Sequence, residues 1–187
     1  MKFALLEKDI IFARSDRKQT MKTLYLMCGM PFSGKTTLSK SIAKYLDSPY
    51  ISLDEINEAR GLWSGNGIPV EEWEKTHFIA MEQLQSLVQS KQDIVVDDTS
   101  CFRWLRERFG NFVKQYDYQM IIVFLNIPIS IIRKRIEQNE QTQERHKVRQ
   151  DIIEQMAKTF EPPQPDEKAI EYYANQPIDE WIAEHFK

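Results

Sequence analysis

Four apolar runs recur along the chain, each followed by a stretch with helical periodicity. They are Thr23–Cys28, Tyr50–Leu53, Asp93–Asp97 and Gln119–Leu125, the last being the most apolar. Runs this continuous predict strands covered on both faces, as in a parallel sheet. Between them, Leu38, Ile42 and Leu46 repeat at helical spacing, and Trp73, His77, Met81, Leu84 and Val88 form a second stripe. Strands alternating with helices predict an α/β layered fold with a mainly parallel sheet. Residues 1–20 precede the first strand as an unassigned extension, and Met21 could itself be the start. Residues 21–187 are expected to form one domain. Glu161-Pro162-Pro163-Gln164-Pro165 ends a helix and opens a solvent-exposed connection. A short amphipathic tail follows, with Trp181, Ile182 and Phe186.

Between the first strand and the first helix stands Gly29-Met30-Pro31-Phe32-Ser33-Gly34-Lys35-Thr36, a full match to G-x-x-x-x-G-K-[ST]. The glycines let the backbone turn so that its N–H groups face phosphate oxygens. Lys35 brings a point charge to the β- and γ-phosphates, the Thr36 hydroxyl can ligate Mg²⁺, and the helix adds the positive end of its dipole. The strand entering and the amphipathic helix leaving are the context this motif requires. The sequence therefore predicts a P-loop NTPase three-layer sandwich binding ATP and Mg²⁺ through Gly29, Pro31, Phe32, Ser33, Gly34, Lys35, Thr36 and Thr37.

Two more strands end in acids, and in open α/β sheets ligands sit beyond the carboxyl ends of strands. Asp97 follows an apolar strand and is expected to hold the metal together with Thr36. Asp98 points to the opposite face and is assigned to the acceptor side or to a supporting hydrogen bond. Asp54, 20 residues after Gly34, can take the proton of an acceptor hydroxyl. Each of these acids could instead cap a helix. Beyond the fourth strand come Arg133-Lys134-Arg135 and then Arg145-His146-Lys147-Val148-Arg149. The polar stretch Glu137–Glu144 between them has no apolar face and is expected to be mobile. Together they predict a basic lid over about 133–150 that closes on a triphosphate, or else a solvated helix face. His146 lies among the lid cations. His77 sits on an apolar stripe and reads as a satisfied, partly buried histidine. Arg103 and Arg106 are candidate phosphate or substrate contacts, or helix-surface residues. The tryptophans read as core or tail anchors.

Composition narrows the partners. The net charge of −3 gives no overall attraction to nucleic acid. Cys28 and Cys101, the only cysteines, match no zinc or redox spacing, and Cys28 reads as a small buried hydrophobe. Charges break the first apolar run too early for a signal peptide, and no stretch approaches the roughly 18 apolar residues of a membrane helix. A cytoplasmic protein is expected.

In their order and spacing, Gly29–Thr37, Ser52–Glu55, Val95–Ser100, Arg133–Arg135, Val148–Ile153, Met156 and Phe160–Glu167 resemble the polynucleotide-kinase-like branch of small P-loop phosphotransferases. The resemblance covers most of residues 22–167. It implies that Ser33, Lys35 and Thr36 bind ATP and magnesium, that Asp54 is the acceptor base, and that Arg135 and Arg145 act from the lid. It also implies that Asp98 lies by the acceptor and that Arg60–Trp73 forms part of the acceptor-side wall; the substrate-binding residues expected are Asn57, Arg60, Asp98 and Arg106. Asn57 replaces the arginine that 5′-hydroxyl polynucleotide kinases tend to carry, and Ser100 stands where the family's Asp-x-Thr-Asn has asparagine. A nucleic-acid end is thus allowed but not favoured as acceptor, beside small molecules and nucleotide-sugars. The function expected is transfer of the γ-phosphate of ATP to a hydroxyl. The alternatives are an ATP-dependent switch or binding module, and a nucleoside monophosphate kinase.

Overall fold

Alternation along each strand decides which side chains meet. The computed structural model describes residues 21–63, 65, 67–143 and 147–186. In chain order its elements are β1 (Lys22–Cys28), α1 (Lys35–Leu46), β2 (Tyr50–Ser52), α2 (Leu53–Ala59), α3 (Val70–Leu87), β3 (Ile94–Asp97), α4 (Arg103–Lys114), β4 (Tyr118–Leu125), α5 (Ile129–Thr142), α6 (Gln150–Thr159), β5 (Ala169–Tyr172) and α7 (Ile178–His185). The sheet order is β2-β3-β1-β4-β5, and every pairing is parallel. Leu24, Leu26, Ile94 and Val96 pack on one face with Leu53 and Ile56 of α2, Ala80 and Leu84 of α3 and Phe109 of α4. Met27, Val95, Val123 and Leu125 pack on the other with Leu38 and Ile42 of α1, Ile132 of α5 and Trp181 and Ile182 of α7. The period of two thus fills both cores of an α/β/α sandwich.

Three expectations are revised. A fifth strand, β5, lies at the sheet edge where only an amphipathic tail was predicted; three of its four residues are half-buried or exposed, so its apolar pattern is weak. The second strand stops at Ser52, and Leu53 already begins a helix. The polar stretch from Glu137 is helical through Thr142, because Ile131, Ile132 and Ile136 pack its first turns on the core. That helix ends where Gln143, at φ 52°, turns its N–H to the Asn139 carbonyl at 2.8 Å. The extension 1–20 and the lid residues Arg145 and His146 lie outside the described residues. Among the described residues, no helix is long and apolar enough to cross a membrane.

Candidate active site

β1 lies between β3 and β4, so chain connections diverge to either side of its carboxyl end and leave a crevice there. The glycine loop fills it. Gly34 adopts φ 104°, a left-handed value that disfavours any side chain. Phe32 has φ 61°, a conformation uncommon for residues with a Cβ and concentrated at ligand sites. Gly34 supplies no side-chain cap to α1, and the first N–H groups of a helix have no partner within it. Ser33 is buried, and its Oγ has no hydrogen-bond partner. An unfilled buried hydroxyl beside an uncapped helix start fits phosphate oxygens. Lys35 Nζ donates to the Met30 carbonyl at 3.0 Å, folded back over the loop. Arg135 reaches in from α5, its Nη1 donating to the carbonyls of Phe32 at 3.0 Å and Ser33 at 2.6 Å.

Asp97 ends β3 opposite Ser52 of β2, and only 6% of its surface is exposed. Its Oδ2 accepts a 2.9 Å hydrogen bond from the Tyr50 hydroxyl. Burial pushes the Asp97 carboxyl above the usual carboxylate range, against the charge of Lys35 and hydrogen bonds from Thr36 and Tyr50. A desolvated carboxylate meeting a threonine hydroxyl offers the hard oxygen donors that Mg²⁺ takes alongside phosphate oxygens and water, so these residues fit that ion. Tyr50 has no signal in the sequence, where it reads as a strand residue; only the β2–β3 register brings it to Asp97.

Asp54 lies in the first turn of α2 and is exposed. The capping position belongs to Ser52, whose Oγ accepts from the Glu55 N–H at 3.2 Å. Asp54's charge reaches Asp97, raising its pKa further. Asp98 caps no helix either: its Oδ2 accepts from both the N–H and the hydroxyl of Ser100, each at 2.9 Å. The two neighbouring acids therefore stand among different groups, Asp97 by the phosphate loop and Asp98 within the electrostatic reach of His77 and Cys101.

Several expected substrate contacts are engaged elsewhere. Arg106 is fully buried, its Nε and Nη2 bridging Glu167 at 2.6 and 2.9 Å and its Nη1 bonded to the carbonyls of Ser100 and Glu161. Its guanidinium joins α4 to the Glu161–Glu167 segment, so the expectation that it contacts substrate gives way to a structural role. Arg60 binds Glu72 and the Thr76 hydroxyl, and Thr76 in turn donates to the buried Asn57. Arg60 and Asn57, both expected to contact substrate, thus fasten α2 to α3. Arg103 pairs with Glu107 and Asp166. His77 is buried but not satisfied, because its Nδ1 has no partner. Trp181 is a buried anchor as expected, whereas Trp104 is 58% exposed. Burial pushes the Cys28 thiol up to about 12 and the Cys101 thiol up to about 11, which favours the protonated thiol in both.

The segment that leads into α6 meets the Arg60–Trp73 stretch. Trp63 Nε1 donates to the Lys147 carbonyl at 3.2 Å, and the Arg149 N–H donates to the Gly65 carbonyl at 3.0 Å. A Cβ at Gly65 would overlap the Lys147 carbonyl oxygen, so this close approach requires glycine.

Comparison with known proteins agrees with this geometry. Residues 24–163 match the AAA_33 family, described as an AAA domain. An L-seryl-tRNA(Sec) kinase of Methanococcus maripaludis is 26% identical over 148 residues, 75% of this chain and 53% of that protein. A shikimate kinase of Chlamydia pneumoniae is 24% identical over 120 residues, 60% of this chain and 63% of that protein. The chain thus spans between about half and two thirds of the length of these relatives. A gluconokinase from Sinorhizobium meliloti 1021 superposes with a TM-score of 0.63 at 17% identity, covering 88% of this chain and 89% of the other, a likeness of fold. A family match across most of the chain, a parallel sheet in the order 2-3-1-4-5 and a complete phosphate loop together show that the chain belongs to the AAA_33 family of P-loop kinases.

Proposed function

We propose that the chain transfers the γ-phosphate of ATP to an alcohol hydroxyl, with Asp54 as general base. Asp54 takes the hydroxyl proton, the oxygen attacks the γ-phosphorus in line, and ADP leaves. The position of Asp54 carries the proposal: Ser52 has the capping duty, and the Asp54 charge bears on the carboxylate that stands against Lys35 and Thr36. Lys35, released from the Met30 carbonyl, neutralises the β- and γ-phosphates. Thr36 and Asp97 would hold Mg²⁺, whose charge would neutralise the phosphate oxygens. Arg135 at the loop and Arg145 from the lid stabilise the charge that develops there, and Asp98 faces the acceptor. An alcohol suits the acceptor side better than a phosphate, because Arg60 and Arg106 are already engaged by Glu72 and Glu167. The similarity to a seryl-tRNA kinase and a shikimate kinase supports a hydroxyl acceptor on a small molecule or a nucleic acid.

The test is transfer of γ-labelled phosphate from ATP, with Mg²⁺, across nucleosides, sugars, antibiotics, aminoacylated tRNA and 5′-hydroxyl oligonucleotides. Asp54→Asn should bind ATP as the parent does and lose transfer by on the order of 10² to 10⁴. Label released only as free phosphate, alike in both proteins, would point to an ATP-dependent switch.

A further inference from the structure

A carboxylate that ligates a metal is as a rule itself hydrogen-bonded, and that outer bond fixes its orientation. Asp97 has such a bond from the neighbouring strand: the Tyr50 hydroxyl stands 2.9 Å from its Oδ2. A phenol keeps its proton at neutral pH and an ionised carboxylate only accepts, so the bond runs one way, from Tyr50 to Asp97.

Sheet register explains why a tyrosine serves here. Tyr50 pairs with Val95, two residues before Asp97. Residues two apart on a strand share a face and stand about 6.6 Å apart along it, a distance the phenol spans to bring its O–H to the carboxylate. Ser52, directly opposite Asp97, is turned to cap α2. The Tyr50 ring is itself held. It packs against the second core, and Lys40 Nζ lies 5.7 Å from its centroid. Ser39, fully buried on α1, places its Oγ 3.5 Å from the Tyr50 hydroxyl and 3.1 Å from the Thr36 carbonyl. One phenol oxygen therefore joins α1, which carries Thr36, to the end of β3, which carries Asp97.

Resting on the reading of Thr36 and Asp97 as the residues that would hold Mg²⁺, we propose that Tyr50 is a positioning residue for Asp97. Its O–H engages Oδ2 and fixes the rotation of the carboxylate, so that Asp97 is already oriented to meet a divalent cation beside Thr36. Tyr50 acts through Asp97 and not on the nucleotide.

The test uses the full chain and a non-hydrolysable ATP analogue, with affinity measured by calorimetry without metal and across a Mg²⁺ series. Tyr50→Phe keeps the packed ring and removes only the hydroxyl. It should bind the analogue without metal as the parent does, and need roughly tenfold more Mg²⁺ to reach the tight complex. In an Asp97→Asn background the same substitution should change neither quantity, because the residue it acts through has lost its charge. An unchanged Mg²⁺ requirement in Tyr50→Phe would overturn the proposal. So would an equal loss of affinity with and without metal, the mark of a packing residue, or a Mg²⁺ effect that persists in full in the Asp97→Asn background. A parent chain that binds the analogue alike with and without Mg²⁺ would instead sink the metal reading of Asp97, and the proposal with it.

Discussion

Asp97 shows how one residue can be set against the stability of the empty protein. Burial raises its carboxyl pKa above the ordinary 3.8, so the folded chain holds that proton more tightly than the unfolded one. The associated stability is present below the ordinary value and is lost as pH rises through the raised one. Once ionised, the desolvated carboxylate therefore opposes folding, a cost that a bound cation would offset. Asp97→Asn keeps an acceptor for the Tyr50 hydroxyl and removes the charge. It should melt above the parent without ligand, by a margin that widens between pH 4 and pH 8, and lose Mg²⁺-dependent turnover by on the order of 10²-fold or more. Thermal melts across pH, paired with turnover, check both halves; a variant that melts lower at pH 8 would rule out this account of the carboxylate.

At the scale of elements, the acceptor side is held by joints between helices and loops distant in sequence. The Arg106–Glu167 pair fastens α4 to the segment before β5, with side chains 1% and 8% exposed. Burial pushes the Glu167 carboxyl up, but the hydrogen bonds and charge of Arg106 outweigh it and leave the pKa below the ordinary 4.5. The stability this contributes is complete above the ordinary value and disappears as pH falls through the lowered one. Glu167→Gln strands a buried guanidinium and should cost about 3–5 kcal/mol in denaturant unfolding at pH 7. Its stability should also fall less than the parent's on acidification below pH 4.5. Arg103, whose partners Glu107 and Asp166 are more than half exposed, makes an instructive contrast. Arg103→Ala should leave the unfolding midpoint nearly unchanged.

For the whole molecule, the second core ties the phosphate loop to the chain's last helix. Trp181 of α7 is 2% exposed, donates its indole N–H to the Glu171 carbonyl at 3.0 Å, and packs edge-on against Tyr172. Leu38 and Ile42 of α1 share that core, and α1 is the helix that springs from the phosphate loop. Trp181→Ala should cost about 3–5 kcal/mol. It should also weaken ATP binding, although Trp181 lies on the last helix and not in the loop. Calorimetric unfolding with and without ATP reads both effects, and full ATP affinity in a destabilised variant would show that α7 does not brace the loop.

Much of this was legible along the chain because it is local. Continuous apolar runs name β1 to β4, helical stripes name α1 and α3, and Gly29 to Thr36 encode a phosphate cradle within eight consecutive residues. Backbone preference and loop geometry depend on near neighbours, so they can be read from the sequence. The tertiary structure alone decided what depends on strand order and register. Tyr50 meets Asp97 across 47 residues, and Arg106 meets Glu167 across 61. β5, four residues long and mostly half-buried or exposed at the sheet edge, is recognisable as a strand only by its pairing with β4. An arginine in a helix looks the same in sequence whether it will bind a phosphate or a buried glutamate. A histidine on an apolar stripe likewise does not reveal that its nitrogen will be left unfilled. Those outcomes are set by which surfaces the folded sheet brings together, a long-range choice that no single segment contains.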